Sequence, residues 1–261
     1  TRSRLHGGHG VSHPIIALWS HPRSMSTAFE RIMRARGDLD CLHEPFMYDY
    51  YINRSTRQMP HFDAMDDHPR SYEAIRDMIL AKAEHAPVFF KDMSYYVMPH
   101  IAADTEFFAR VTHNFLIRDP RASILSYARL DPDMLLEEIG LEAQWRHAEA
   151  VMARTGRAPV VMKSEAVQAD PQGQMNRYWT AVGVSPRPQA LHWTDPAPAD
   201  WQQVQAWHGE VMASHTIHPI TPEQQARTEA EFEKLASGHA KFGSYLEHHL
   251  PFYQNLMAHA A

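Results

Sequence analysis

Residues 15–30 read IIALWSHPRSMSTAFE, an apolar run that stops at a polar turn and resumes with a different spacing. The first five residues have the length and composition of a β-strand that is buried on both faces. Pro22 cannot donate to a strand ladder and favours an extended conformation at His21, so the chain is expected to leave the sheet there. The stretch therefore predicts a short buried strand followed at once by a turn.

A helix is predicted directly after this turn. Ser24, Ser26 and Thr27 are residue types that begin helices, and apolar residues then recur at helical spacing as far as Gly37. A turn between a strand and a helix directs backbone N–H groups and the positive end of the helix dipole at one point, where an anion binds well. Arg23 adds a full charge there. Similar turns without a ligand are common, so this turn alone leaves an anion site and an ordinary connection equally open.

The composition limits the class of protein. A chain of 261 residues can bury the core of one α/β domain. A formal charge of -6 without a long basic run argues against a nucleic-acid surface and suits a small anionic ligand. Cys41 is the only cysteine, which excludes an internal disulfide framework and favours a reducing, cytoplasmic compartment. No apolar run approaches the roughly 20 residues of a membrane span.

Strands and helices alternate along the chain. Apolar segments bounded by breakers predict strands at residues 15–19, 40–43, 88–90, 111–117 and 160–162. Helical spacing predicts helices between and after them, among them residues 72–85, 133–155 with a break at Gly140, 222–237 and 242–259. This alternation predicts an α/β fold, a parallel sheet flanked by helices.

Three segments fall outside this alternation. Residues 1–13 lack periodicity and the apolar core of a signal peptide, and are expected to be a disordered tail or an expression remnant. Residues 48–70 are expected to be a long surface excursion, whose tyrosines are equally packing residues or part of a ligand pocket. Residues 185–222 are rich in proline and tryptophan and are expected to form a cap or lid. Residues 14–261 are therefore expected to form a single domain.

Polar and charged side chains follow the predicted strands. Parallel sheets bind ligands at the carboxyl ends of their strands. The residues near those ends are Arg23, Ser24, Ser26, Thr27, Glu44, Lys91, Asp92, Arg118, Arg121 and Lys163. Together they form a cationic cluster with one well-placed carboxylate, Glu44, which makes an anion site the favoured interpretation.

Four parts of the sequence, in chain order, resemble the sulfotransferases that use 3′-phosphoadenosine 5′-phosphosulfate (PAPS). They are HPRSMSTAF at residues 21–29, Glu44, Lys91 and LIRDPRASILSY at residues 116–127. The resemblance implies the P-loop kinase-like sulfotransferase fold with helical cap and C-terminal elements. It implies a 5′-phosphosulfate loop made of Pro22, Arg23, Ser24, Met25, Ser26 and Thr27. It also implies that Arg118 and Ser126, eight residues apart in this family, hold the 3′-phosphate.

The same resemblance implies a reaction. A sulfuryl group would pass to a hydroxyl, or less favourably an amine, of a small-molecule acceptor, leaving 3′-phosphoadenosine 5′-phosphate (PAP). Arg23 would neutralise the leaving group and Lys91 would assist at the sulfuryl group. No metal is then required, because arginine, lysine and helix dipoles supply the positive charge.

The acceptor hydroxyl must lose a proton, so a general base is needed. Some branches of the family use a glutamate after the second strand, and Glu44 occupies that position. Other branches use a histidine where this chain has Met93. His43 and Asp92 are weaker candidates for the base. The structural alternative for Glu44 is an ion pair with Arg23 or Arg118.

Two residues depart from the family's pattern. Met25 stands where glycine is usual, which narrows the backbone conformations open to the loop. Ala28 stands where many members have an aromatic residue that stacks on adenine, a role left to Phe29 or a cap tryptophan. These departures motivate an alternative, a non-catalytic nucleotide-binding module of the same fold. A P-loop kinase-like phosphotransferase is a further alternative, disfavoured because G-x-x-x-x-G-K-[ST] is absent. The acceptor's identity and a homodimer are left open.

Overall fold

A five-stranded parallel β-sheet forms the centre of the molecule. The structure is a computed structural model and describes residues 12–208 and 214–260. Residues 1–11 of the predicted tail, 209–213 of the predicted cap and residue 261 of the predicted domain lie outside it. The strands are β1 (Ile15–Ser20), β2 (Asp40–His43), β3 (Val88–Met93), β4 (Val111–Ile117) and β5 (Val160–Lys163). Their spatial order is β2-β3-β1-β4-β5. The predicted parallel sheet is confirmed, and β3 runs on through Lys91 to Met93.

Helices flank the sheet as predicted. They are α1 (Ser26–Ala35), α2 (Tyr72–Ala83), α3 (Ser94–Val97), α4 (His100–Ala103), α5 (Thr105–Arg110), α6 (Pro120–Ala128), α7 (Leu141–Thr155), α8 (Ser164–Ala169), α9 (Pro171–Ala181), α10 (Pro222–Gly238) and α11 (Ala240–Met257). The described part also contains a π-helical turn (Asp49–Asn53) and 3₁₀ segments (Glu137–Ile139, Pro188–Leu191, Ala199–Trp207). None of the helices in these residues is long and apolar enough to cross a membrane.

β1 lies between β3 and β4 and is buried along its whole length. Successive side chains of a strand point to opposite faces of the sheet. Ile15 and Trp19 pack on one face with α2, α7, α10 and α11, whereas Ile16 and Leu18 pack on the other with α1 and α9. A strand covered on both faces has no polar side to expose, which explains the continuous apolar run.

Local signals set the helix ends near the carboxyl edge of the sheet. Asp119 caps α6 by accepting a hydrogen bond from Arg121 N at 2.8 Å, and Pro120 takes the first helical position. Gly140 precedes α7 with a φ of 81°, the left-handed region that favours glycine. A Cβ at Gly140 would lie 3.2 Å from His21 Cβ, so this glycine also lets α7 approach the turn after β1.

The strand order creates a switch point beside β1. From β1 the chain first goes to β2 and β3 on one side, and later to β4 and β5 on the other. Open α/β sheets bind ligands at such a point, beyond the carboxyl ends of the strands. His21 Nε2, after β1, accepts a hydrogen bond from Arg118 N, after β4, at 3.0 Å. The two loops predicted to bind ligand therefore meet here.

The prediction of a surface excursion at residues 48–70 is wrong for the first part of that segment. Tyr48, Tyr50 and Tyr51 are buried. They pack in the same core as Trp19, around the π-helical turn at Asp49–Asn53. These tyrosines are packing residues because the sheet face under them needs cover, and a search for periodicity does not detect a π-helical turn.

Candidate active site

A cavity of about 200 Å³ opens beside the turn after β1 and the ends of β3 and β4. Its wall contains most of the predicted site residues: Arg23, Met25, Ser26, Thr27, Glu44, Lys91 and Arg118. Ser24 and Ser126, which the structure also describes, lie outside this wall. Ser24 belongs to the loop and is fully buried, and Ser126 contacts Arg23. Residues far apart in the sequence are thus brought to one place.

The loop after β1 holds two non-glycine residues in the left-handed region. Arg23 has a φ of 61° and Met25 a φ of 70°. Met25 is the N-cap of α1 and makes no side-chain capping hydrogen bond. The first N–H groups of α1 are therefore left to the cavity, where Ser26 and Thr27 lie. An uncapped helix start next to cationic side chains suits an anion.

Arg23 connects three parts of the site. Its Nε donates to Ser126 Oγ on α6 at 2.9 Å, and its Nη1 donates to the carbonyl oxygen of Trp207 at 2.5 Å. Arg118 Nη1 donates in turn to the carbonyl oxygen of Arg23 at 2.8 Å. Arg118 and Ser126, predicted to act together, thus both contact Arg23, which also ties the loop to the cap.

Lys91, near the carboxyl end of β3, donates in three directions. Its Nζ lies 2.5 Å from Glu44 Oε1, 3.3 Å from Ser26 Oγ and 3.4 Å from Thr27 Oγ1. An ammonium group has three N–H donors and no acceptor, so all three contacts are donated bonds. Lys91 therefore links the anion loop to the carboxylate that follows β2.

Glu44 is buried and ionised in this arrangement. Burial acts to raise the pKa of Glu44, but Lys91 and His43 together outweigh it, and the net pKa lies below the usual value for a glutamate. Tyr96 donates a hydrogen bond to Glu44 Oε2 at 3.4 Å. The structural alternative for Glu44 was an ion pair with Arg23 or Arg118. Glu44 forms its ion pair with Lys91 instead.

The two weaker candidates for a base lie outside the cavity wall. Asp92 is fully buried and accepts hydrogen bonds from Phe46 N at 2.8 Å and from Met93 N at 3.0 Å. Burial and the Glu44 carboxylate raise the pKa of Asp92. His43 Nδ1 contacts Glu30 Oε2 at 2.6 Å. The geometry thus leaves Glu44 as the carboxylate that reaches the cavity.

A chain of buried polar contacts leads away from Thr27. Thr27 Oγ1 lies 3.2 Å from His208 Nδ1, and His208 Nε2 lies 3.0 Å from His43 Nε2. His43 in turn contacts Glu30, whose Oε1 accepts hydrogen bonds from Arg34 at 2.7 Å and from Trp201 at 2.9 Å. No local pattern identifies His208 as a site residue, because its contact with Thr27 forms only when residues 199–208 fold over α1.

Comparison with known proteins decides the family. A family model described as a sulfotransferase domain matches residues 14–260. The chain belongs to this sulfotransferase family. The resemblance read from the four sequence segments is thereby confirmed.

Similar proteins span different lengths. Branched-chain-amino-acid aminotransferase-like protein 2 of Arabidopsis thaliana is 22% identical over 210 residues, which cover 79% of this chain but 36% of that protein. The chain thus spans about a third of the length of that curated relative.

Two solved structures share the fold of this chain. The sulfotransferase domain from the Synechococcus PCC 7002 olefin synthase has a TM-score of 0.51 at 16% identity, covering 90% of this chain and 98% of that one. The sulfotransferase domain from the curacin biosynthetic pathway has a TM-score of 0.50 at 12% identity, covering 88% and 98%.

Much of the remaining wall of the first cavity is aromatic and apolar. It contains Met59, Met93, Tyr95, Tyr96, Tyr127, Val204 and Trp207. The sequence analysis assigned no site role to Tyr95, Tyr96 or Tyr127. A signal was present for the first two, which follow β3 directly, at the edge where ligands bind.

Phe29 cannot replace the aromatic residue missing at Ala28. It is fully buried and packs edge to face on Tyr178, with the ring centroids 4.8 Å apart. Trp207 lines the cavity and its Nε1 donates to the carbonyl oxygen of Pro60 at 3.0 Å. Of the two replacements considered, the cap tryptophan is the one with access to the site.

A second cavity of about 300 Å³ adjoins the first through Arg118, which lines both. Its wall also contains Arg121 and Lys163, the other cations predicted at the strand ends. Glu165 Oε1 accepts a hydrogen bond from Asp119 N at 2.9 Å and fixes this side of the loop. The cationic cluster is therefore divided between two neighbouring cavities.

No group of three or more histidine, cysteine, aspartate or glutamate side chains within residues 12–208 and 214–260 is arranged to hold a metal ion. The positive charges in the wall of the first cavity are those of Arg23, Lys91 and Arg118.

Proposed function

We propose that this sulfotransferase transfers a sulfuryl group from PAPS to a hydroxyl of a small-molecule acceptor, with an amine as the second acceptor class. Glu44 is proposed as the general base. The observation that carries the proposal is the position of Lys91 Nζ, 2.5 Å from Glu44 Oε1 and within 3.4 Å of the Ser26 and Thr27 hydroxyls. One cation stands between the anion loop and the only carboxylate in the described wall of the cavity.

The loop suits a phosphosulfate group. Ser24 Oγ is buried and makes no hydrogen bond to any residue that the structure describes. The Ser26 and Thr27 hydroxyls and the start of α1 offer further donors. Arg23 and Arg118 offer guanidinium groups, which bind phosphate oxygens with paired hydrogen bonds. When bound, the nucleotide supplies the sulfuryl group and keeps the leaving charge on its 5′-phosphate.

The first cavity matches the phosphosulfate end of the nucleotide rather than the whole molecule, given its volume of about 200 Å³. Arg118 also lines the second cavity, where Arg121 and Lys163 add positive charge. We assign the nucleoside and its 3′-phosphate to the side of the first cavity that faces the second one. Arg118 and Ser126 are the proposed 3′-phosphate residues.

Catalysis then rests on positioning and charge. Transfer of a sulfuryl group, like that of a phosphoryl group, gains most from aligned reactants and from stabilised charge. Arg23 is proposed to neutralise the leaving oxygen, and Lys91 to stabilise the sulfuryl oxygens. Both side chains already line the same cavity as Glu44.

Lys91 also controls the basicity of Glu44. While the ammonium pairs with Glu44, the pKa of the carboxylate is held low, and it is a weak base. An anion bound at Ser26 and Thr27 competes for the same ammonium group. As Lys91 turns toward that anion, burial raises the pKa of Glu44 and makes it a better base. Binding of the donor and activation of the acceptor are thereby linked.

A thermal-shift experiment tests the nucleotide. PAP without magnesium should raise the melting temperature, and ATP should not. The opposite result would favour the kinase-like alternative. A protein stabilised by PAP but inactive on every hydroxyl and amine tested would be the non-catalytic module, which the departures at Met25 and Ala28 motivate. The cytoplasmic location remains a prediction that rests on Cys41.

A further inference from the structure

The chain of contacts from Thr27 to Glu30 has one consistent assignment of protons when both imidazoles are neutral. Glu30 accepts hydrogen bonds from Arg34 and Trp201, so it is an acceptor toward His43 as well. His43 Nδ1 therefore donates to Glu30, and its Nε2 is unprotonated. His208 Nε2 must then donate to His43 Nε2. The remaining nitrogen, His208 Nδ1, is left as an acceptor.

This assignment commits the only proton of the Thr27 hydroxyl. Thr27 Oγ1 must donate to His208 Nδ1 across 3.2 Å, while it accepts from Lys91 Nζ across 3.4 Å. An anion approaching Thr27 would meet lone pairs instead of a donor. Turning the hydroxyl proton toward the anion would leave His208 Nδ1, which is almost fully buried, without its partner.

One added proton removes this conflict. With a proton on Nδ1, His208 donates to Thr27 Oγ1, and the threonine proton is free to bind a phosphate oxygen. The other bonds keep their direction, since His208 Nε2 still donates to His43 and His43 Nδ1 still donates to Glu30. The proton comes from solvent, and no other bond forms or breaks.

We propose that His208 is a positioning residue for the nucleotide: it takes up one proton at Nδ1 when the nucleotide binds at Thr27. His43 and Glu30 support the charged imidazole through the hydrogen bonds that they already make. This inference rests on the proposed nucleotide site. It adds a cap residue that acts through Thr27, and it makes nucleotide binding dependent on pH.

The charges around His208 support the uptake of a proton when the nucleotide binds. His208 faces His43, Lys91, Glu30 and Arg23. Burial, His43 and Lys91 hold the pKa of His208 well below its usual value, so it is neutral before the nucleotide binds. A phosphate at the loop adds negative charge beside the same imidazole and favours its protonated form.

The surroundings of the His43 imidazole also support proton uptake by His208. His43 faces Lys91, Glu44 and Arg34, and burial and Lys91 lower its pKa. Its Nδ1 keeps Glu30 as acceptor in both states of the chain. The carboxylate of Glu30 can therefore balance the charge that His208 gains, because the hydrogen bonds that join them through His43 keep their direction.

Calorimetric titration with PAP measures the proton directly. At pH 7.0, in buffers of different ionisation enthalpy, the slope of the observed enthalpy should show uptake of about one proton per nucleotide. The dissociation constant of PAP should rise by up to about tenfold per pH unit above pH 7, as linkage requires. Glu44 is the other group whose pKa rises when the nucleotide draws Lys91 away, so the Glu44→Gln variant separates its proton from that of His208. Binding without proton uptake overturns the inference and leaves the proposed function intact, whereas absence of binding overturns both.

Variants identify the group that takes up the proton. His208→Asn keeps a polar atom near Thr27 without a titratable nitrogen, and proton uptake should fall close to zero. His147→Asn is the matched control, because His147 makes a buried contact of 3.2 Å with His113 away from the site. Uptake should be unchanged in this control and in Glu44→Gln. Uptake that persists in His208→Asn, or disappears in Glu44→Gln, overturns the assignment. If His208→Asn does not fold, the wild-type and Glu44→Gln slopes still decide.

Discussion

Lys91 Nζ lies 2.5 Å from Glu44 Oε1, and the two side chains are 1% and 7% exposed. Removing one partner of a buried ion pair leaves an uncompensated charge and costs about 3–5 kcal/mol. Replacing both partners by uncharged residues avoids the cost of an uncompensated buried charge. Each charge therefore depends on the other, and the pair makes separate predictions for stability and for turnover.

Lys91→Met should lower the free energy of unfolding by about 3–5 kcal/mol, because Glu44 is left buried without its cation. Lys91→Met combined with Glu44→Gln should be more stable than Lys91→Met alone. Urea unfolding of the wild type, both single variants and the double variant measures the coupling. A double variant as unstable as the sum of the single variants would mean that the two groups do not interact.

Glu44→Gln should lower turnover by about 10²–10⁴-fold, the usual contribution of a general base. The neutral amide competes less than the carboxylate for the Lys91 ammonium, so the dissociation constant of PAP should not rise. Steady-state kinetics with an acceptor found by screening, together with calorimetry, separates the two quantities. Glu142→Gln is the control, because Glu142 pairs with His248 in an exposed position. Full activity in Glu44→Gln would remove Glu44 from the role.

The sequence located Lys91 and Glu44 because both stand at strand ends, and an apolar run shows where a strand ends. The pairing of Lys91 with Glu44 was not predicted, because the neighbour relation of β2 and β3 is not written in the local pattern. His208 lies 181 positions from Thr27 and 165 from His43. A lone histidine in an aperiodic, proline-rich segment carries no signal of such contacts, which arise only when the cap packs.

Arg118→Ala should weaken binding of PAP by about 10–100-fold, the loss expected for a hydrogen-bonded charge worth about 1.5–3 kcal/mol. Binding of adenosine 5′-phosphate, which lacks the 3′-phosphate, should weaken much less. Calorimetry with both nucleotides gives the difference. In Arg129→Ala, which removes a surface pair with Glu231, neither affinity should change. Equal losses for the two nucleotides in Arg118→Ala would argue against a 3′-phosphate role.

Met25 has a φ of 70°, in the region where an L-residue costs roughly 1–2 kcal/mol. Met25→Gly should therefore be more stable than Met25→Ala by about 1 kcal/mol, since both lose the same side-chain contacts but alanine keeps the strain. Urea unfolding measures both. At Ala28, inside α1, glycine should instead be less stable than alanine by about 1 kcal/mol. If glycine is less stable than alanine at position 25 as well as at position 28, Met25 is not strained.

Several histidines make the fold sensitive to acid. Burial, with the Arg118 charge, lowers the pKa of His21 to about 3, and burial lowers the pKa of His113 and of His249 to about 4. In the unfolded chain these groups titrate near pH 6.5. Below that pH the unfolded chain therefore binds protons that the native protein does not, and acid favours unfolding.

The stability that these three histidines contribute is complete above about pH 6.5 and is lost as the pH falls toward 4, each group contributing about 1.4 kcal/mol per pH unit. Urea unfolding between pH 7.5 and pH 4.5 gives the slope. His21→Gln keeps an acceptor for Arg118 N and should reduce the slope by one histidine's share. His248→Gln, at a partly exposed position, should not change it. An unchanged slope in His21→Gln would mean that His21 takes up its proton in the native protein as readily as in the unfolded chain.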